Sequence, residues 1–129
     1  MQYLLLVYHQ ESEKMSPEEK ARGEELMRKF VAEGKSQGLI AGVARLEPTA
    51  TAITARPTPL GVHFIDGPFA ETKEQLGGFC LLDCRDEAEA RHWAARFMET
   101  GCPSAIEIRP VMAMARAGEN PLAELAATV

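Results

Sequence analysis

The sequence predicts an α+β fold of the ferredoxin-like (split βαβ) kind, an antiparallel sheet with two helices on one face. Three observations carry that expectation. Two helix starts with capping residues, Ser16-Pro17 and Asp86, each lie between apolar segments of strand length. A β-branched, alternating stretch around Thr51 to Arg56 is followed by a Pro- and Gly-rich turn, the mark of a hairpin between the two halves. The length of 129 residues fits one domain with a core of its own.

Residues 2–8 form a nearly unbroken apolar run with aromatic and β-branched members, as expected of a central strand, and His9, Gln10 and Glu11 mark its polar exit. Ser16 reads as an N-cap, Pro17 as the first helical residue and Glu19 as the partner that closes a capping box. Glu18 and Glu19 suit the positive end of the helix. Gly23, Leu26, Met27, Phe30, Val31 and Gly34 recur at intervals of three and four, which predicts one buried stripe on a helix ending near Ser36. Glu18, Arg22, Glu25, Arg28 and Lys29 fall on the opposite, solvated face.

Gly38 stops this helix, and residues 39–46 read as a second strand, with Gly42 where a bulge is tolerated. Strands are expected at 51–56 and 62–65, and a buried one at 78–84. Asp86 and Glu89 open a second helix whose apolar stripe is Ala90, Trp93, Ala94 and Phe97, ended by Gly101, Cys102 and Pro103. Alternation of Ile106 and Ile108 with charged neighbours predicts a last strand over 106–112. The domain is thus expected over residues 1–112, and the tail 113–129 is either frayed or docked on a dimer partner. A sheet with apolar residues on both faces and helices on only one is completed by pairing with a second sheet across a two-fold axis, so a homodimer forming an α/β barrel is expected.

Composition narrows the partners. A net charge of −5 speaks against a nucleic-acid surface, which works by neutralising phosphates with Lys and Arg. No apolar run approaches the roughly 20 residues that span a bilayer, and the apolar start lacks the basic flank of a signal peptide. A cytoplasmic protein is expected. The three cysteines agree: Cys80 and Cys84, four residues apart on a strand, lie about 13 Å from each other and cannot be bridged. No metal site is expected, because paired Cys or His at zinc spacing are absent. No cofactor is expected either: Trp93 and Phe97 are core residues at helical spacing, and Gly77-Gly78 lacks the Lys-Ser or Lys-Thr of a phosphate loop.

The chemistry gathers around the stretch Asp66-Gly67-Pro68-Phe69-Ala70-Glu71-Thr72-Lys73-Glu74-Gln75-Leu76-Gly77-Gly78-Phe79. Gly67 and Pro68 make a constrained turn that presents the Asp66 carboxylate, either as a general base or orienting acceptor, or as an acceptor for the amides of its own turn. Glu71 and Lys73, on a loop shaped by Gly67 and Pro68, are candidates to line a polar ligand site, with Lys73 facing an anionic group; the alternative is a solvated loop. His9 leaves the first strand and His63 precedes Asp66 by three residues. If those strands neighbour each other, an imidazole meets Asp66, and histidine is the side chain that changes charge nearest neutral pH. The alternative for each is an exposed, idle strand-end histidine. His92 is expected on the wet side of the second helix.

This stretch resembles the DGPF signature of the YCII-related family, as do Thr51-Ala52-Ile53-Thr54, Gly77-Gly78-Phe79 and Glu107-Ile108-Arg109-Pro110. The resemblance covers residues 1–112 and implies a dimeric ferredoxin-like barrel. Relatives of this kind include small-molecule enzymes, among them a dehydrochlorinase with a His and Asp pair proposed as catalytic, so an unknown small molecule and acid–base chemistry at Asp66 are implied. This chain departs from that pattern: where the relatives carry the histidine of the first helix it has Glu25 or Glu24, and no histidine lies between Met15 and Gly61. The family is also associated with extracytoplasmic-function sigma factors, which implies as an alternative a non-catalytic sensor or regulatory partner.

Overall fold

The computed structural model describes residues 1–114, so the predicted tail falls almost wholly outside the described residues. The chain runs β1 (Gln2–His9), α1 (Pro17–Ser36), β2 (Ile40–Arg45), a 3₁₀ turn (Thr49–Thr51), β3 (Ile53–Thr58), β4 (Gly61–Asp66), β5 (Gln75–Asp83), α2 (Glu87–Met98) and β6 (Ala105–Pro110). Strands β2-β5-β1-β6 form one antiparallel sheet in that order, and β3 and β4 form a two-stranded ribbon of their own. The fold is ferredoxin-like, as the alternation of elements predicts.

The helix starts obey the capping chemistry. Ser16 Oγ accepts from the Glu19 amide at 3.2 Å, and Asp86 Oδ1 accepts from the Glu89 amide at 2.9 Å. The expected box at Ser16 is only half closed: among the described residues the Glu19 carboxylate accepts nothing from the Ser16 amide, while the Ser16 carbonyl accepts the Lys20 amide at 3.0 Å as the first bond of the helix. Gly38, at φ +70, turns the chain out of α1, a backbone angle that a side chain disfavours.

Register explains which residues make the core. Tyr3, Leu5 and Val7 of β1 oppose Leu82, Cys80 and Gly78 of β5. Because paired residues share a face, these point together at the helices. Leu5, Cys80 and Leu82 are fully buried there, under Phe30 of α1 and Trp93, Ala94 and Phe97 of α2. The Phe30 ring meets Trp93 edge-on at 5.6 Å and Phe97 at 4.8 Å between centroids. Each fully buried apolar side chain of this size contributes about 1.5–3 kcal/mol. Outside this core, Arg96 donates through both terminal nitrogens to the Glu33 carboxylate and lies 5.0 Å over the Trp93 ring, tying α1 to α2.

Two bulges matter. The β1–β5 pairing steps from Val7 opposite Gly78 to Tyr8 opposite Leu76, so Gly77 is the extra residue. A bulge re-aims the side chains beside it. The second falls between Ile40 and Gly42, beside the glycine expected to tolerate one.

The β3–β4 ribbon stands apart from the sheet. Its register puts Ile53, Ala55, Pro57, Val62 and Phe64 on one side, and all are exposed. A two-stranded hairpin is marginally stable alone in water. Here its base is fastened by the Gly67 amide donating to Ala52 O and the Thr54 hydroxyl donating to Gly67 O, both at 2.7 Å.

Candidate functional site

A cavity of about 420 Å³ lies at the end of the sheet where the bulge falls, between strands β1, β5 and β2 and helix α1. Gly78 sits on the helix-facing side of β5, flanked by Val7 across one strand pair and Arg45 across the other. A Cβ there would lie 2.5 Å from the Ala44 carbonyl oxygen, so a larger residue is disfavoured and no side chain projects from this position into the cavity. Val43 and Leu46 of β2 and its exit, Met27 of α1 and Phe97 of α2 give the hollow apolar walls.

His9 supplies the imidazole of this cavity. The ring lies against Gly77, where a Cβ would approach Cδ2 and Nε2 to 2.7 Å, so the bulge glycine sets the place of the ring. The chain beyond His9 is held as well: Gln75 Oε1 accepts from the Glu11 amide at 2.9 Å, and Gln75 Nε2 donates to Thr72 O at 2.6 Å. The Glu11 carboxylate accepts from the Thr49 hydroxyl at 2.7 Å and the Thr49 amide at 2.9 Å. These two bonds, the hydroxyl first, hold Glu11 below the usual carboxylate range.

Three charged side chains and a thiol complete the lining. Glu24 and Arg28 come from α1, Arg45 from the end of β2, and Cys102 from the loop after α2. Arg28 Nη2 is 3.0 Å from Glu25 Oε2. Of the two glutamates that stand where relatives are expected to carry a histidine, Glu24 therefore lines the cavity and Glu25 pairs with Arg28. The cavity combines a proton donor or acceptor, a carboxylate, guanidinium groups and a thiol with an apolar floor, which is the composition of a small-molecule site. A second hollow between α1 and α2 is lined by Glu33, Arg85, Glu89 and Arg96, but its cations are already bound, Arg85 to Glu89 at 2.8 Å and Arg96 to Glu33.

The other candidates that the sequence offers lie elsewhere. Asp66 is exposed at the end of β4, opposite Ile53, and its carboxylate makes no hydrogen bond or ion pair among the described residues. His63 is exposed on the same ribbon, opposite Arg56. The condition for an imidazole meeting Asp66 is not satisfied within one chain, because β4 pairs with β3 while β1 lies in the other sheet. Gly67 adopts φ +105 as the turn requires, and Pro68 beside it is half-buried. Glu71 and Lys73 are exposed, and neither lines the cavity. His92 is exposed on α2, as expected.

Arg28, Arg45 and Cys102 are site residues that sequence patterns do not single out. Helical phase puts Arg28 on the solvated face; it is exposed, yet reaches the cavity rim. Among the described residues no group of three or more His, Cys, Asp or Glu side chains is placed to hold a metal, and no helix is long and apolar enough to cross a membrane.

A model of the YCII-related domain matches residues 1–115 of the chain. The chain belongs to the YCII-related family. An uncharacterised protein of Rhizobium meliloti is 41% identical over 129 residues, covering 94% of this YCII-related chain and 99% of its own length. Among solved structures, the 5-chloro-2-hydroxyhydroquinone dehydrochlorinase of Burkholderia phenoliruptrix, in complex with 2,5-dihydroxybenzoquinone, superposes with a TM-score of 0.49 at 11% identity, covering 88% of this chain and 96% of that one.

Proposed function

We propose that this YCII-related protein binds a small organic molecule in the cavity beside His9, with His9 as the group that exchanges a proton with it. The observation that carries the reading is the His9 imidazole lying against Gly77 in a hollow of about 420 Å³ with apolar walls and ionisable groups. A fragment screen followed by amide chemical shifts tests it. Binders are expected to move Val7, Val43, Gly78 and Cys102, and to lose affinity or turnover in His9→Asn. Binders that instead move only Asp66, Glu71 and Lys73 would transfer the site to the loop after β4.

The proposal includes a homodimer. The exposed apolar side of the ribbon and the half-exposed Leu4, Leu6 and Phe79 on the uncovered sheet face need cover, and a second copy offers both surfaces reciprocally. Sedimentation of the parent protein and of Phe64→Asp tests this: a dimer that becomes monomeric is expected, and a parent that sediments as a monomer refutes it. Asp66 takes part in the chemistry only through such a neighbour, since it lies on the ribbon. Turnover unaffected by Asp66→Asn would leave His9 as the acid–base group. The alternative reading, a non-catalytic partner of an extracytoplasmic-function sigma factor, has no observation of its own among the described residues; co-sedimentation with such a factor in the absence of any small-molecule binding would favour it.

A further inference from the structure

The chemical class of the ligand follows from the charges around the cavity, given that the cavity is the ligand site as read above. Its lining carries two guanidiniums, Arg28 and Arg45, against one carboxylate, Glu24. Arg28 is already engaged by Glu25 at 3.0 Å. The Arg45 guanidinium makes no hydrogen bond or ion pair among the described residues. What sets Arg45 apart from other unpaired cations is its place at the edge of an apolar hollow, where it attracts an anion.

Register fixes where Arg45 stands. It opposes Gly78 from the β2 side while Val7 opposes the same glycine from β1, so the Arg45 stem and an apolar wall flank the glycine on one face of the sheet. A ligand that fills the hollow therefore meets apolar surface in its middle and the unpaired cation at one edge. A planar guanidinium fork matches a carboxylate in shape and charge. A dianion such as a phosphate ester fits less well, because Glu24 opposes the second charge and the other guanidinium is already paired.

We propose that the cavity takes a small organic monoanion, a carboxylate on a compact apolar body, with the carboxylate paired to Arg45 and the body lying over Gly78 against Val7, Met27 and Phe97. Glu24 acts in the opposite sense, rejecting more highly charged anions. Arg45 is thus the residue that sets specificity, and His9 remains the group next to the bound body.

Three probes of nearly equal size test this: phenylacetate, phenylacetamide and phenethylamine, titrated into the isotope-labelled full chain and followed by amide shifts. Phenylacetate is expected to move Val43, Arg45 and Gly78 and to bind at least about tenfold more tightly than the amide, the difference between a hydrogen bond to a charged acceptor and one to a neutral acceptor. The ammonium compound is expected not to bind. Arg45→Met, at an exposed residue whose loss leaves the core intact, should erase the preference, Arg45→Lys should keep part of it, and Glu24→Gln should tighten phenylacetate. If the amide binds as tightly as the carboxylate at the same residues, or the preference survives Arg45→Met, the ligand class is wrong while the cavity reading stands. Entry of neutral fragments alone into the cavity would likewise overturn the ligand class and spare the cavity. If no probe and no wider fragment moves any cavity residue, both fall together.

Discussion

Adding one methyl group at Gly77 separates the placing of His9 from the stability of the sheet. An alanine Cβ there would stand 2.7 Å from His9 Cδ2 and Nε2 and 3.3 Å from Cε1. Carbon atoms in contact prefer about 3.5–4.0 Å, so the ring has to give by most of an ångström. It is able to, because it ends a short side chain that is only half-buried. Turning a side chain about 30° off its rotamer costs about 0.5–1.5 kcal/mol, and replacing glycine by alanine within a strand recovers about 0.5–1 kcal/mol of backbone entropy. The two nearly offset, so Gly77→Ala is expected to stay within about 1 kcal/mol of the parent while the imidazole leaves its place.

Gly78→Ala is the control with the opposite outcome. Its Cβ would meet the Ala44 carbonyl oxygen at 2.5 Å, and Ala44 C and Arg45 Cα at 3.5 Å, all of them backbone of the neighbouring strand. Backbone held in a sheet has no rotamer to change, and overpacking of this kind costs about 1–3 kcal/mol. Urea unfolding gives the stabilities, and the ring-proton resonances of His9, distinguished from those of His63 and His92 by substitution, report the position of the imidazole. If Gly77→Ala loses as much stability as Gly78→Ala, or keeps the His9 resonances of the parent, then Gly77 does not place His9.

Other consequences are independent of that pair. Cys102 is exposed at the cavity, whereas Cys80 is buried and its thiol is pushed up to about 12 by burial; iodoacetamide should therefore modify Cys102 first, and a ligand in the cavity should protect it. Glu11 is held below its ordinary value of 4.5 by the Thr49 hydroxyl and amide, so the stability it adds is present above that value and is lost as pH falls through the lower, folded value. Amide exchange at residues 49–51 should accordingly be slower in the parent than in Glu11→Gln at neutral pH, with the gap closing in acid. Glu33 is likewise held down, first by its hydrogen bonds from Arg96, so the stability difference between the parent and Arg96→Met should also shrink below pH 4.5. Phe30→Ala removes the ring that both Trp93 and Phe97 touch and should cost about 3–5 kcal/mol by denaturant unfolding.

The order of elements is legible because local chemistry specifies it. Ser16 and Asp86 do cap the two helices, and the stripes read from Phe30 and from Trp93, Ala94 and Phe97 are the buried ones. Boundaries move by a few residues where pairing decides them: β5 begins at Gln75 rather than at Gly78, because Gln75 and Leu76 still find partners in His9 and Tyr8. Ile53, Pro57 and Gly61 announce a hairpin, yet nothing in that pattern says that it stands clear of the sheet.

The site is less legible, for a reason that lies in its construction. A sequence displays side chains, and the stretch from Asp66 to Glu74 displays many ionisable ones, so attention falls on it. The cavity is lined at Gly77 and Gly78 by residues that display no side chain, and its functional groups come from four separate segments: His9, Glu24 with Arg28, Arg45, and Cys102. Only strand register shows that Val7 and Arg45 flank the same glycine, and only the bulge at Gly77 shows why His9 lies over it. The glycine pair is visible in the sequence as a strand entry that is not a phosphate loop. Which group stands beside it beneath α1 depends on a neighbour 33 residues earlier in the chain, Arg45 opposite Gly78, and no local pattern in a single sequence encodes that pairing.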